Sequence, residues 1–157
     1  MFRPRHLILL LVLVVVAWFS LARLAVKPAA TTQDPAMVRR EIFAVLDHGA
    51  GAWDAGNLDE FISDYLPDSG TTFITSTRVL HGVDAIRAVY AARFAPGAQR
   101  DSLHFQDVEV DLLAPDVVNT IAWYVLTRGD SIVARGPTSL VMRRVNGRWR
   151  IVHDHSS

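Results

Sequence analysis

Two imidazoles stand two residues apart near the end of the chain, in the stretch Trp149, Arg150, Ile151, Val152, His153, Asp154, His155, Ser156, Ser157. Apolar and polar side chains alternate here, and strand residues two apart share a face. Trp149, Ile151, His153 and His155 are therefore expected to line one side of a sheet. Histidine titrates near neutrality, and an imidazole on the wall of an apolar cavity serves as general base, general acid or oxyanion donor. His153 and His155 are the candidate catalytic residues; the plain alternative is a hydrogen-bonded edge of the core. The same spacing, with His81 or His104 as a third ligand, occurs in some divalent-metal sites, but the sequence assigns no metal and no cofactor. A nucleophilic triad of His153, Asp154 and Ser156 fails on geometry, because neighbours on a strand point to opposite faces and do not converge on one reacting atom.

The elements that must position these residues can be read in order. Asp34 before Pro35 is a helix start, with an N-cap acceptor and a proline where its missing N–H costs nothing. Val38, Ile42, Val45, Leu46, Gly49 and Trp53 follow at steps of three and four, one buried stripe of a helix ending at Ala55 and Gly56. Gly49 and Gly51 suggest close packing of a neighbouring element. Asn57 with Glu60 three residues on has capping-box spacing and opens a short second helix burying Leu58, Phe61, Ile62 and Tyr65. Residues 71–75 and 78–81 suit a short hairpin. Val83, Ile86, Val89, Tyr90 and Phe94 form a third helix, ended by Pro96 and Gly97. From Ser102 the period changes to that of strands, with runs at 103–113, 117–128, 131–145 and 148–155. Asn146 and Gly147 are the strongest hairpin signal, since a two-residue type I′ turn needs positive φ at both positions. Helices early and antiparallel strands late imply an α+β domain in which a curved sheet wraps three helices.

The 157 residues, half of them hydrophobic, suffice for one domain with a real core. With zero formal net charge and a slightly acidic remainder once Arg3 and Arg5 are set aside, a general polyanion binder is disfavoured, and no nucleic-acid partner is expected. Arg143, Arg144, Arg148 and Arg150 around the last hairpin suit a solvated tip or a dimer rim. There is no cysteine, which excludes disulfides, thiolate catalysis and cysteine-ligated zinc. No phosphate-cradling glycine loop or dinucleotide fingerprint occurs. Residues 1–27 are expected to be a targeting segment, with Arg3, Arg5 and His6 before the apolar run 7–19. Small residues near Ala22 favour cleavage, whereas residues 7–26 are long enough for a membrane anchor. Either way the domain is expected outside the cytoplasm, secreted or periplasmic after cleavage or else membrane-anchored, with membrane contact only through this segment. Residues 28–33 read as a linker and 34–157 as the domain.

Four motifs in order carry a resemblance. They are Trp53 at the end of the first helix with Ala55–Gly56–Asn57–Leu58–Asp59 leading into the second, Leu80–His81–Gly82–Val83–Asp84–Ala85–Ile86 opening the third, and the closing Gly147–Arg148–Trp149–Arg150–Ile151–Val152–His153–Asp154–His155–Ser156. Over about residues 36–156 the chain resembles the nuclear transport factor 2-like superfamily, in its SnoaL-like and ketosteroid-isomerase-like branch. The resemblance implies a cone-shaped fold enclosing one pocket, often in a homodimer formed across the sheet. Wall candidates are then Trp53, Tyr65, Tyr90, His104 and Trp123, with Tyr124 as the alternative to its neighbour, since only one of the pair can face in; for each aromatic, plain core packing is the other reading. Isomerase chemistry of this branch needs a carboxylate base facing an acid that donates to a developing enolate. Asp64, Asp107, Glu109 and Asp111 are available, the last three sharing a strand face expected to be solvated, and spacing selects none of them. The expected function is binding of a small, largely apolar molecule in the cone. The alternatives are an isomerase, lyase or hydrolase using His153 or His155, and a homodimeric association module.

Overall fold

Asp34 accepts a hydrogen bond from the Ala36 N–H at 3.0 Å and starts helix α1 (Pro35–Ala55), which ends where Gly56 takes φ 70°. The structure, a computed structural model, describes residues 33–157. The targeting segment, its cleavage or anchoring, and the linker up to residue 32 lie outside the described residues. Among the described residues no helix is long and apolar enough to cross a membrane.

After α1 the Asn57 side chain accepts from the Glu60 N–H at 3.1 Å and opens α2 (Leu58–Ser63). Strands β1 (Thr72–Ile74) and β2 (Val79–His81) form the small hairpin, and α3 (Val83–Tyr90) runs into a 3₁₀ turn over Ala91–Phe94. Four long strands complete the chain: β3 (Ser102–Ala114), β4 (Val117–Arg128), β5 (Ser131–Val145) and β6 (Arg148–Ser156). Asn146 at φ 51° and Gly147 at φ 77° make the β5–β6 turn in the conformation their sequence requires.

The fold is mixed α+β, with one curved, open sheet of six strands in the order β2-β1-β6-β5-β4-β3. Every pairing is antiparallel except β1 with β6, which is parallel and carries the early hairpin to the edge of the late meander. The helices cover one face of this sheet. Val38, Ile42 and Leu46 from α1, Ile62, Ile86 from α3, and Val118, Leu140, Met142, Trp149 and Ile151 from the strands share one core. A polar clamp holds α1 down at the last hairpin: Glu41 accepts from the Trp149 indole N–H at 2.9 Å and pairs with Arg144. The compact unit Gln33–Ser157 thus contains a complete core of its own.

Two β-bulges decide which side chains face that core. On β6, Met142 pairs with Ile151 and Val141 with His153, so Val152 has no partner and the strand changes phase. Trp149 and Ile151 point inward before the bulge; Asp154 and Ser156 do so after it. The expectation that Trp149, Ile151, His153 and His155 share one face is therefore corrected, because uninterrupted alternation does not survive an extra residue. On β3, Gln106 pairs with Trp123 and Glu109 with Ile121, with Asp107 at φ 53° in the bulge between them. Leu103 and Phe105 face the helices before it and Val108 and Val110 pack against the core after it. Asp107, Glu109 and Asp111 are all exposed, as expected for a solvated row.

Ile42 is fully buried between α1 and the sheet, whereas Leu113 near the end of β3 is 64 % exposed. Ile42→Ala should lower unfolding stability by about 2–5 kcal/mol, and Leu113→Ala by no more than about 0.5 kcal/mol. Urea titration of residues 33–157 with an unchanged m-value checks the pair.

Candidate functional site

Between the helices and the sheet lies a cavity of about 330 Å³, within the usual range for small-molecule sites. Its walls are mostly apolar. Val45, Leu46, Trp53, Phe61, Val89 and Tyr90 line it from the helical side, and Phe73, Leu103, Phe105, Leu126, Leu140 and Ile151 from the strands. The aromatic rings support one another edge to face: Phe61 and Tyr90 have centroids 4.9 Å apart, and Trp53 and Phe94 5.3 Å apart.

The floor of this apolar space is polar. Tyr65 donates its phenolic hydroxyl to Asp154 Oδ2 at 2.6 Å, Ser156 donates to Asp154 Oδ1 at 2.7 Å, and Ser156 and Thr138 share a hydrogen bond of 2.8 Å. All four residues line the cavity, and Tyr65, Thr138 and Asp154 are buried. Burial raises the Asp154 carboxyl above its ordinary value, although the hydrogen bonds from Tyr65 and Ser156 and the field of His153 and His155 oppose it. Burial first, and the neighbouring Asp154 carboxyl second, raise the Tyr65 hydroxyl well above the usual phenol range, and Tyr90 moves the same way for the same two reasons. Both phenols are thus hydrogen-bond donors across the physiological range. A buried carboxyl fed by two hydroxyls is held in a fixed orientation and has lone pairs left to accept a further hydrogen bond.

A second carboxyl reaches the wall from the end of α2. Asp64 is buried, and its two oxygens each lie 3.0 Å from His48 Nδ1 on α1, while His48 Nε2 lies 3.3 Å from Glu60. Gly49 makes the approach possible: a Cβ there would stand 3.2 Å from Asp64 Oδ2. The glycine expectation therefore holds at Gly49, while Gly51 has nothing packed against it. The hydrogen bond and charge of Asp64 raise the His48 imidazole above 6.5; burial opposes them, and Glu60 adds smaller contributions in the same upward direction. Asp64 is itself raised, since its burial outweighs the pull of His48.

Of the residues singled out from sequence, Trp53, Tyr65 and Tyr90 line the cavity and His104, Trp123, His153 and His155 do not. His153 Nδ1 hydrogen-bonds the Thr72 hydroxyl at 2.6 Å across the parallel β1–β6 pair, and His155 is exposed. His104 bonds to Gln106 at 3.1 Å on the opposite face of β3 from Leu103 and Phe105. Trp123 faces outward under the Arg135 guanidinium at 4.4 Å, and its neighbour Tyr124 takes the inward place. Sequence reasoning missed Asp154, Ser156, His48 and the selection of Asp64 among the acids. The one available signal for Asp154 was the adjacent apolar pair Ile151–Val152, which breaks strict alternation and permits a bulge. Among the described residues no cluster of three metal-ligating side chains occurs.

The His48–Asp64 contact makes a titration testable. A raised imidazole contributes stability that is fully present below 6.5 and is lost as pH rises through the folded value. In an NMR pH titration the His48 ring should titrate above 6.5 in the native protein and drop in Asp64→Asn. An unchanged midpoint in that variant would show that Asp64 does not hold the ring.

Comparison with known proteins agrees with this geometry. The family of SnoaL-like domains matches residues 42–157. An NTF-2 like protein of unknown function from Shewanella oneidensis has a similar solved structure, with a TM-score of 0.68 and 24% identity over 76% of this chain and 98% of that one. An NTF2-like protein of unknown function from Pseudomonas putida aligns with a TM-score of 0.65 and 16% identity over 78% and 87% of the two chains. A structure from Thiobacillus denitrificans, described as a candidate calcium/calmodulin-dependent protein kinase type II association domain, aligns with a TM-score of 0.63 and 28% identity over 73% and 91%. No curated protein matches the sequence. With its early helices, its curved six-stranded sheet and a family match covering most of its length, the chain belongs to the SnoaL-like branch of the nuclear transport factor 2-like superfamily.

Proposed function

We propose that this domain binds a small, largely apolar, ring-bearing molecule in the cavity between its helices and sheet and accepts a hydrogen bond from a hydroxyl of that molecule at the Tyr65–Asp154–Ser156 floor. The observation that carries the proposal is the pairing of an aromatic wall with one buried, hydrogen-bonded carboxyl group. Apolar burial supplies the attraction, and the polar floor fixes orientation, because a ligand without a matching group would leave Asp154 with part of its hydrogen-bonding capacity unmet. The targeting pattern of residues 1–27 supports action outside the cytoplasm, either anchored or released.

The outer face of the sheet supports a homodimer. Ile121 is 45 % exposed and Trp123 38 %, and across the ladder Trp123 stands beside Gln106 and Pro137, so apolar surface faces away from the core at the centre of the sheet. The association domain named for the Thiobacillus denitrificans structure supports self-assembly as a use of this architecture.

A second reading, an isomerase or lyase, is favoured by one observation: two carboxyl groups reach the same cavity wall in different settings. Asp64, held by His48, would take a proton from carbon beside a ligand carbonyl, and Asp154 in its protonated form, braced by Tyr65 and Ser156, would donate to the oxygen as negative charge develops. His153 and His155 face away from the cavity and take no part in this reading.

Native mass spectrometry of residues 33–157 purified from the source organism tests the proposal. The expected result is a dimer mass with a retained small molecule released on denaturation and absent from Ala134→Phe, which fills the cavity from the sheet wall. A cavity that is empty in the native protein and takes up no neutral aromatic compound supplied to it would overturn the binding reading. Deuterium appearing on a ligand carbon in D₂O, and lost in Asp64→Asn, would favour the enzyme.

A further inference from the structure

Arg93 is the one cation among the residues that line the cavity. It lies in the 3₁₀ turn after α3, is exposed, and carries its guanidinium 6.0 Å from the centre of the Trp53 ring. Asp54, next to Trp53 in the chain, and Asp101, whose carbonyl accepts from the Trp53 indole, are already engaged. Asp101 accepts two hydrogen bonds from Arg128, at 2.7 and 3.1 Å, and Asp54 accepts from the Ser102 hydroxyl and the Leu103 N–H at 2.6 and 2.9 Å. Arg100, the neighbouring cation, donates to the Arg93 backbone carbonyl and lies over Phe94. Among the described residues no carboxylate pairs with the Arg93 guanidinium.

The cavity is therefore electrically polarised. Its buried lining includes the carboxyl groups of Asp64 and Asp154, which offer an anion no compensating charge, and its exposed lining includes one unpaired guanidinium beside the Trp53 ring. Resting on the binding function above, we propose that Arg93 is an anion-recognition residue and that the ligand class is ring-bearing carboxylates, bound with the ring against Trp53, Phe61 and Tyr90 and the carboxylate outward on Arg93. A guanidinium presents paired N–H donors that match the two oxygens of a carboxylate. The opposite orientation is disfavoured because it would desolvate a negative group beside Asp154, where no lining cation stands to pair with it. Polarity thus selects both the ligand and its direction.

A matched pair of probes separates this inference from the function beneath it. Binding of 2-naphthoate and of neutral 2-naphthamide to residues 33–157 is measured by isothermal titration in low salt. The native protein should bind the carboxylate about threefold to tenfold more tightly than the amide, as befits a partly exposed ion pair. That ratio should shrink in high salt, fall to about one in Arg93→Gln, persist in part in Arg93→Lys, and stay unchanged in Arg148→Gln, which lies outside the lining. If both probes bind equally to the native protein, or the preference survives Arg93→Gln or is lost equally in Arg148→Gln, the anion inference is overturned while the cavity function stands. If neither probe binds, the cavity function falls and takes this inference with it.

Discussion

A strand repeats every two residues, so one extra residue exchanges its faces, and β6 makes that exchange at Val152. Without the bulge the last turn of the sheet would aim two imidazoles at the helices and leave the acid between them in solvent. With it, Asp154 and Ser156 enter the cavity while His153 is tied to Thr72 across the parallel pairing with β1. The parallel pairing and the bulge depend on each other: Thr72 meets His153 and Ile74 meets His155, so the outward residues of β6 belong to the seam that attaches the hairpin. The cavity floor and the sheet edge are two faces of the same nine residues.

Burying a carboxyl group is costly unless its lone pairs are satisfied. Tyr65 and Ser156 meet part of that requirement for Asp154, and Tyr65 is fixed in turn by the short bridge between the end of α2 and β6, where the Ile151 N–H donates to the Asp64 carbonyl at 2.8 Å. The same bridge sets Asp64 against His48 and Gly49. Two backbone hydrogen bonds at Ile151, to the Asp64 carbonyl and from the Leu66 N–H, therefore hold the segment that carries Asp64 and Tyr65 against β6. The packed aromatic rings of Trp53, Phe61 and Tyr90 make the cavity wall apolar.

Much of the fold was legible before the structure. Caps at Asp34 and Asn57, the left-handed Gly56, the Asn146–Gly147 turn and the switch from helical to strand period are local signals, and the structure places each element within a few residues of its expected bounds. The site was legible only on its helical side, at Trp53, Tyr65 and Tyr90, where one stripe faces the core throughout. On the strands the sequence fails for a physical reason: bulges at Val152 and Asp107 reset the period, and nothing local fixes their place. The pair Trp123 and Tyr124 shows the same difficulty, since either ring suits an inward position and the choice rests on the register of β4 against β3 and β5. His48 with Asp64 depends on two elements meeting, which no single stretch of sequence records.

Asp154 is a buried carboxyl facing an apolar cavity. Carboxyl-carbon NMR of aspartate-labelled residues 33–157, with Asp154 assigned from Asp154→Asn, reads this directly. The expected midpoint lies above the ordinary 3.8, because burial is the largest influence on the group. A midpoint at or below 3.8 would place Asp154 in solvent or in a strong ion pair, and would contradict the bulge-directed cavity floor on which the rest depends.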